Sequence, residues 1–192
     1  MAAHRGFPSV EEMNSHMIDE WNAVVEPKDT VYYLGDLSFM KPVDTAILLT
    51  KLNGRIRLIS GNHDHRKSID AVVKLLAGPD PVKHADTIKF AVLDRLFTLK
   101  TVLEDVPLRL ELCHFPMLTW DRAHYGVWHL HGHSHGFCRY PHPNTTMLDV
   151  GVDNVGYRPI SLADVAARMA GKTFHPCDLH DPARYEGAIT TI

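Results

Sequence analysis

After Ser9 the apolar residues recur at spacings of three and four: Val10, Met13, Met17, Trp21 and Val24. That period predicts an amphipathic helix, opened by the capping box Ser9-Val10-Glu11-Glu12 and closed before Pro27. The pattern then changes to TVYYL (30–34), a β-branched and aromatic run that reads as a buried strand ending at Gly35-Asp36. Pro42 at a first helical position, the apolar run over 43–52 and an Asn53-Gly54 stop predict a second helix. IRLIS (56–60) is a short strand that ends at Gly61-Asn62-His63-Asp64, and a helix from about Ser68 to Ala77 follows before Pro79-Asp80-Pro81 breaks the pattern. Strand–loop–helix units of this kind predict an α/β fold whose strand-end loops can converge on one site.

From Thr87 the period shortens. IKFAV, RLFTLKTV and LRLELCH read as three antiparallel or mixed strands, with Pro107 separating the last two and His114 ending the third. VWHLHGHSH (127–135) then sets His129, His131, His133 and His135 at every second position, on one face of an extended segment. TMLDVGVD is one more strand, and Ser161 caps a final helix through about Ala170. The stretch from Lys172 has no periodicity, so residues 1–171 read as one domain and 172–192 as a C-terminal tail.

Composition narrows the function classes. With 192 residues and 45% hydrophobic content the chain can bury a core, and its net charge of −3 supplies no basic field for long nucleic acid. Small anionic substrates remain open. Cys113, Cys138 and Cys177 are widely spaced and include no C-x-x-C, so neither a disulfide framework nor a zinc ribbon is indicated and a reducing compartment fits. MAAHRGF has no signal pattern and no apolar run reaches membrane-spanning length, so a cytoplasmic protein without a membrane partner is expected. The outlier is histidine, with 14 residues, of which His84 and His124 read as surface groups.

Two chemistries compete for Gly132-His133-Ser134-His135-Gly136. Neutral imidazoles at a glycine-flanked turn suit a divalent metal. GHSHG also satisfies G-x-S-x-G, the nucleophile elbow, with Asp149 and His175 in the order a triad needs. That elbow requires a following helix, and FCRYPHPNTT, with Pro141 and Pro143, opposes one. A metal is the preferred reading.

Taken together, GDLS at 35, GNHDH at 61, LCHFP at 112 and GHSH at 132 form an ordered set that resembles the calcineurin-like metallophosphoesterase superfamily, in particular its small bacterial and phage members. The SVEEM helix and the DVGVDNVGYRPISL ending extend the resemblance over about residues 5–170. It implies a four-layer α/β sandwich with mixed sheets flanked by helices. It also implies two divalent cations, Mn first and Fe, Zn, Co or Ni as alternatives. Asp36 would bridge them, Asn62, His114 and His133 would complete one, and His135 would serve the other. Such a pair, about 3.5–4 Å apart, turns a bridging water into hydroxide that attacks phosphorus in line. His63 would protonate the leaving alkoxide, Asp64 would accept a hydrogen bond from its imidazole, and His65 and Arg66 face either the phosphate or solvent. The implied activity is hydrolysis of a small phosphodiester such as a cyclic nucleotide or dinucleotide. A phosphomonoesterase, a nuclease or a catalytically impaired binding scaffold are the alternatives.

One feature departs from that pattern. Members of the superfamily begin with a strand ending in Asp-x-His, which supplies two ligands to the second metal, and no such block precedes Ser9. Three accounts are open: a start further upstream, a site with one tight and one weak metal, or a stand-in from Asp178-Leu179-His180 in the tail. Chance predicts about one such triplet in a chain of this composition, and Pro176 disfavours the strand that would deliver it.

Overall fold

The computed structural model describes residues 2–77, 89–139 and 144–174. Ser9 opens α1 (Val10–Val24), its Oγ accepting the Glu12 amide at 3.0 Å. Met13, Ile18, Trp21 and the following Val25 face inward, whereas Val10 and Val24, the two ends of the expected stripe, are exposed. β1 (Thr30–Tyr33), β2 (Arg55–Ile59) and β3 (Phe90–Leu93) make a parallel sheet in that order, and α2 (Pro42–Lys51) carries the chain from β1 to β2. α3 (Arg66–Ala77) begins two residues before Ser68, because the His65 carbonyl already accepts the amides of Ser68 and Ile69.

The first of the three β-type runs therefore joins the parallel sheet, and the other two open a second sheet. This sheet has the order β4 (Leu96–Leu103), β5 (Val106–Cys113), β6 (Trp128–His131), β7 (Met147–Asp149), antiparallel between β4 and β5 and parallel thereafter. Pro107 does not separate strands but lies inside β5, opposite Val102. The separator is Glu104-Asp105, both with positive φ (49° and 65°), the geometry of a two-residue hairpin turn that matches the strand twist. Next to such a turn Leu103 and Val106 exchange hydrogen bonds, so the nitrogen of Pro107 points away from β4 and its missing N–H costs nothing there.

Alternation along the strands sorts side chains between layers. Ile56 and Leu58 of β2 face α1, α2 and α3 in one apolar cluster, while Ile59 faces Leu110, Leu112 and Leu130 of the second sheet. Full burial of each of these leucines stabilises the fold by about 1.5–3 kcal/mol. α4 (Leu162–Met169), capped by Ser161, adds Val165 and Met169 to the inter-sheet cluster. A third cluster of Trp120, Val127 and Met147 covers the outer side of β6 and β7. The fold is thus a mixed α/β sandwich, as expected, with two sheets and four α-helices among the described residues. Its contacts run past residue 171: Lys172 Nζ donates to the Met147 carbonyl at 2.8 Å and Phe174 packs on Trp120. The tail residues Cys177, Asp178 and His180, like His84, lie outside the described residues.

Candidate metal centre

Four strand ends deliver the site. Asp36 follows β1, Asn62 follows β2, His114 follows β5 and His133 follows β6. Two glycines make the approach possible. A Cβ on Gly35, whose φ is +95°, would lie 2.5 Å from the Gly61 nitrogen and 2.6 Å from His114 Nδ1, and one on Gly61 would lie 2.4 Å from Asp36 Oδ1. Any side chain at either position would force the loops after β1 and β2 apart. Asp36 and His133 themselves hold left-handed φ of 56° and 65°, a conformation uncommon for non-glycine residues but more accessible to Asp and His than to most.

The donors converge on His114. Its Nδ1 lies 2.6 Å from the Leu34 carbonyl, which can only accept, so Nδ1 carries a proton and Nε2 is the ring nitrogen turned toward the site. That nitrogen meets Asn62 Oδ1 at 3.0 Å, His133 Nδ1 at 3.1 Å and Asp36 Oδ2 at 3.4 Å. Ligating atoms of Asp36, His114 and His133 all fall within 4.8 Å of one another. Protons or a cation must occupy the centre of such a set. Burial and the neighbouring His114 ring push the His133 imidazole below the usual histidine range, which opposes a proton there and leaves it ligand-competent. A buried imidazole locked into one tautomer by a carbonyl behind it is the usual support of a metal ligand, and the mixed nitrogen and oxygen set fits Mn, Fe, Zn, Co or Ni.

Asp64 is placed differently from expectation. Its carboxylate does not meet the His63 imidazole: Oδ2 accepts the amides of Asp36 (2.7 Å) and Gly61 (2.8 Å), and Oδ1 accepts that of Leu37 (2.9 Å). The side chain is buried, with its two oxygens turned to three backbone donors rather than toward the exposed His63 ring. Asp64 is therefore a clamp between the loops after β1 and β2. Asp149, at the end of β7, does the same for the histidine loop, accepting Gly136 N at 3.1 Å and Gly151 N at 2.9 Å. Its one sequence signal, a carboxylate ending a strand, is the signal that Asp36 gives.

His63 is exposed at the mouth, its amide on Asp36 Oδ1 at 2.9 Å and its ring 5.1 Å from that of Phe39. His65 and Arg66 are exposed, and Arg66 pairs with Asp70 at 3.8 Å. His135 does not join the cluster through Nδ1, which lies 2.7 Å from Asp153 Oδ2. Asp153 is held in turn by Arg5, whose Nε and Nη2 reach its two oxygens at 2.7 and 2.8 Å. Burial would raise the Asp153 pKa, but the bonds from Arg5 and His135 outweigh it and hold the carboxyl below its ordinary range. Sequence reasoning missed this Arg5–Asp153–His135 chain, because 148 positions separate the arginine from its partner.

The four alternating histidines do not share a face. Only His129 and His131 lie in β6, both fully buried, and past Gly132 the chain leaves the strand. His129 Nδ1 donates to the Glu111 carbonyl at 2.9 Å and Nε2 accepts the Met117 amide at 3.2 Å, so this ring is structural. Burial lowers its pKa to about 4. An unfolded histidine titrates near 6.5, so the unfolded chain binds the extra proton first, and stability is full above about pH 6.5 and lost as pH falls toward 4, by about 3 kcal/mol. Denaturant titrations in chelator at pH 7 and pH 4.5 should show that loss, and His129→Gln should shrink the difference between the two pH values. An unchanged difference would rule His129 out as its source.

The nucleophile-elbow reading of Ser134 finds no support. Residues 137–139, directly after Gly136, are not helical, and the Asp149 carboxylate is committed to backbone amides.

Fold and site together define a two-sheet α/β protein with a loop-borne candidate metal centre. The chain is 33% identical over 175 residues to the uncharacterized protein MJ1445 of Methanocaldococcus jannaschii, covering 88% of this chain and 81% of that protein. It belongs to the family of that archaeal protein. In fold it is similar to the crystal structure of the protein of unknown function AQ665 from Aquifex aeolicus, with a TM-score of 0.53 and 18% identity over 83% of this chain and 87% of that one. No protein-family model matches the sequence.

Proposed function

We propose that this protein is a metal-dependent phosphoester hydrolase of the calcineurin-like metallophosphoesterase kind, acting on a small phosphodiester such as a cyclic nucleotide. The observation that carries the reading is the meeting of Asp36, Asn62, His114 and His133, from four strand ends of two sheets, around one buried imidazole nitrogen. These residues would hold one divalent cation, with Mn²⁺ the first candidate, and His135 is the chain's candidate ligand toward a second. When bound, such cations supply Lewis acidity toward a phosphoryl oxygen and a nucleophile from water at neutral pH.

The chain's own residues do the rest. Asp64 and Gly61 set the spacing of the loops that carry Asp36 and Asn62. His63, anchored by its amide to Asp36 but with its ring at the mouth, would hand a proton to a departing alkoxide. A cytoplasmic site of action accords with Cys113 and Cys138 being free thiols, and among the described residues no helix is long and apolar enough to cross a membrane. A second reading, a binding scaffold of the same fold, draws on the commitment of His135 Nδ1 to Asp153.

The test is hydrolysis of a chromogenic phosphodiester by protein stripped of metal and refilled with Mn²⁺. Turnover should appear only on refilling. His63→Ala should lower it roughly 10²-fold or more with Mn²⁺ affinity unchanged, whereas His133→Ala should lower both. Equal metal loss in the two variants would overturn the division of roles, and a folded, Mn²⁺-loaded chain without turnover would favour the scaffold.

A further inference from the structure

Beside the metal centre lies a cavity of ≈ 280 Å³. His63 and Asp64 line it, and both also touch the Asp36 loop, so the cavity and the donor cluster share a wall. Its floor is apolar, formed by the buried side chains of Leu37, Ile69 and Val72. At one edge Thr45 Oγ1 donates to Ser38 Oγ at 3.0 Å. At the mouth Phe39 is 77% exposed, its ring 5.1 Å from that of His63.

The exposed phenylalanine at the lip of this apolar-floored cavity is an arrangement with an open aromatic face. It is a favourable one for a flat, π-faced ligand, because aromatic rings stack on such a face with little demand on which ring is offered. The volume sits just below the roughly 300–1,000 Å³ of small-molecule sites, enough for one ring system. We infer that this cavity is the subsite for the planar base of a nucleotide whose phosphate lies at Asp36, His114 and His133, with Phe39 as the stacking wall. The inference rests on the phosphoester reading of the metal centre and adds to it the place where the base is held and the residue that selects it.

The test compares two probes on the Mn²⁺-loaded protein, inorganic phosphate and a purine nucleoside 5′-monophosphate, by direct calorimetric binding. The nucleotide should bind about tenfold tighter, the order expected of one base–aromatic stack. Phe39→Ala should erase that increment and leave phosphate and Mn²⁺ affinity intact. Ile47→Ala, an exposed apolar change on α2 outside the cavity, should leave both ligands unaffected. A nucleotide no tighter than phosphate, or an equal loss in the Ile47 variant, would overturn the base subsite while the metal centre stands. Absence of phosphate binding would refute the phosphoester reading itself, and the subsite with it.

Discussion

His114→Ala should abolish Mn²⁺-dependent turnover and weaken Mn²⁺ binding by more than the roughly 10–100-fold that loss of a group merely supporting a ligand costs. His114 is the one buried imidazole of the donor set, and the other three donors are arranged around its Nε2. Removing it leaves Asp36, Asn62 and His133 without a common centre. The variant also loses the bond to the Leu34 carbonyl, so a modest drop in melting temperature is expected without metal. The decisive reading is the response to metal. A ligand that binds only the folded state raises the melting temperature, so Mn²⁺ should stabilise the parent protein and not the variant. An undiminished Mn²⁺ shift in His114→Ala would mean that the cation is held elsewhere.

Asp64→Ala should instead act as a folding mutation. It leaves the amides of Gly61, Asp36 and Leu37 without their acceptor in a buried position, at a cost of roughly 3–5 kcal/mol. Metal binding should fall with it, because those amides set the loops that carry Asp36 and Asn62. Asp64→Asn should be intermediate, since its amide oxygen can serve one side of the clamp while its NH₂ faces a donor on the other. His63→Ala, a change at an exposed side chain, should leave the denaturation curve where it was. Were Asp64→Ala within 1 kcal/mol of the parent and impaired only in turnover, the carboxylate would belong with the His63 proton transfer after all.

The two variants separate what a motif implies from what a fold does with it. GNHDH reads in sequence as a ligand, an acid and the acid's orienting partner, side by side. In three dimensions adjacent residues of a tight turn point apart: Asn62 goes to the donor cluster around His114, His63 to the mouth and Asp64 down into the loop backbone. The histidine run behaves likewise. Its period of two holds only while the chain is extended, and the left-handed turn after Gly132 sends His133 to the cluster and His135 to Asp153.

The sequence by itself determined the elements and the strand ends that carry chemistry. Apolar period, the Ser9 and Ser161 caps and the glycine stops are local signals, and they placed α1, α2, β1, β2 and α4 close to where they lie. They also put Asp36, Asn62, His114 and His133 each at a strand's C-terminal end. The assignment of IKFAV to the parallel sheet, the Asp64 and Asp149 clamps, the burial of His129 and the Arg5–Asp153–His135 chain were decided only by tertiary structure. These depend on which groups meet across distant stretches of chain. A carboxylate's partner is chosen by whichever donors burial leaves unsatisfied, and residue type and spacing do not carry that information.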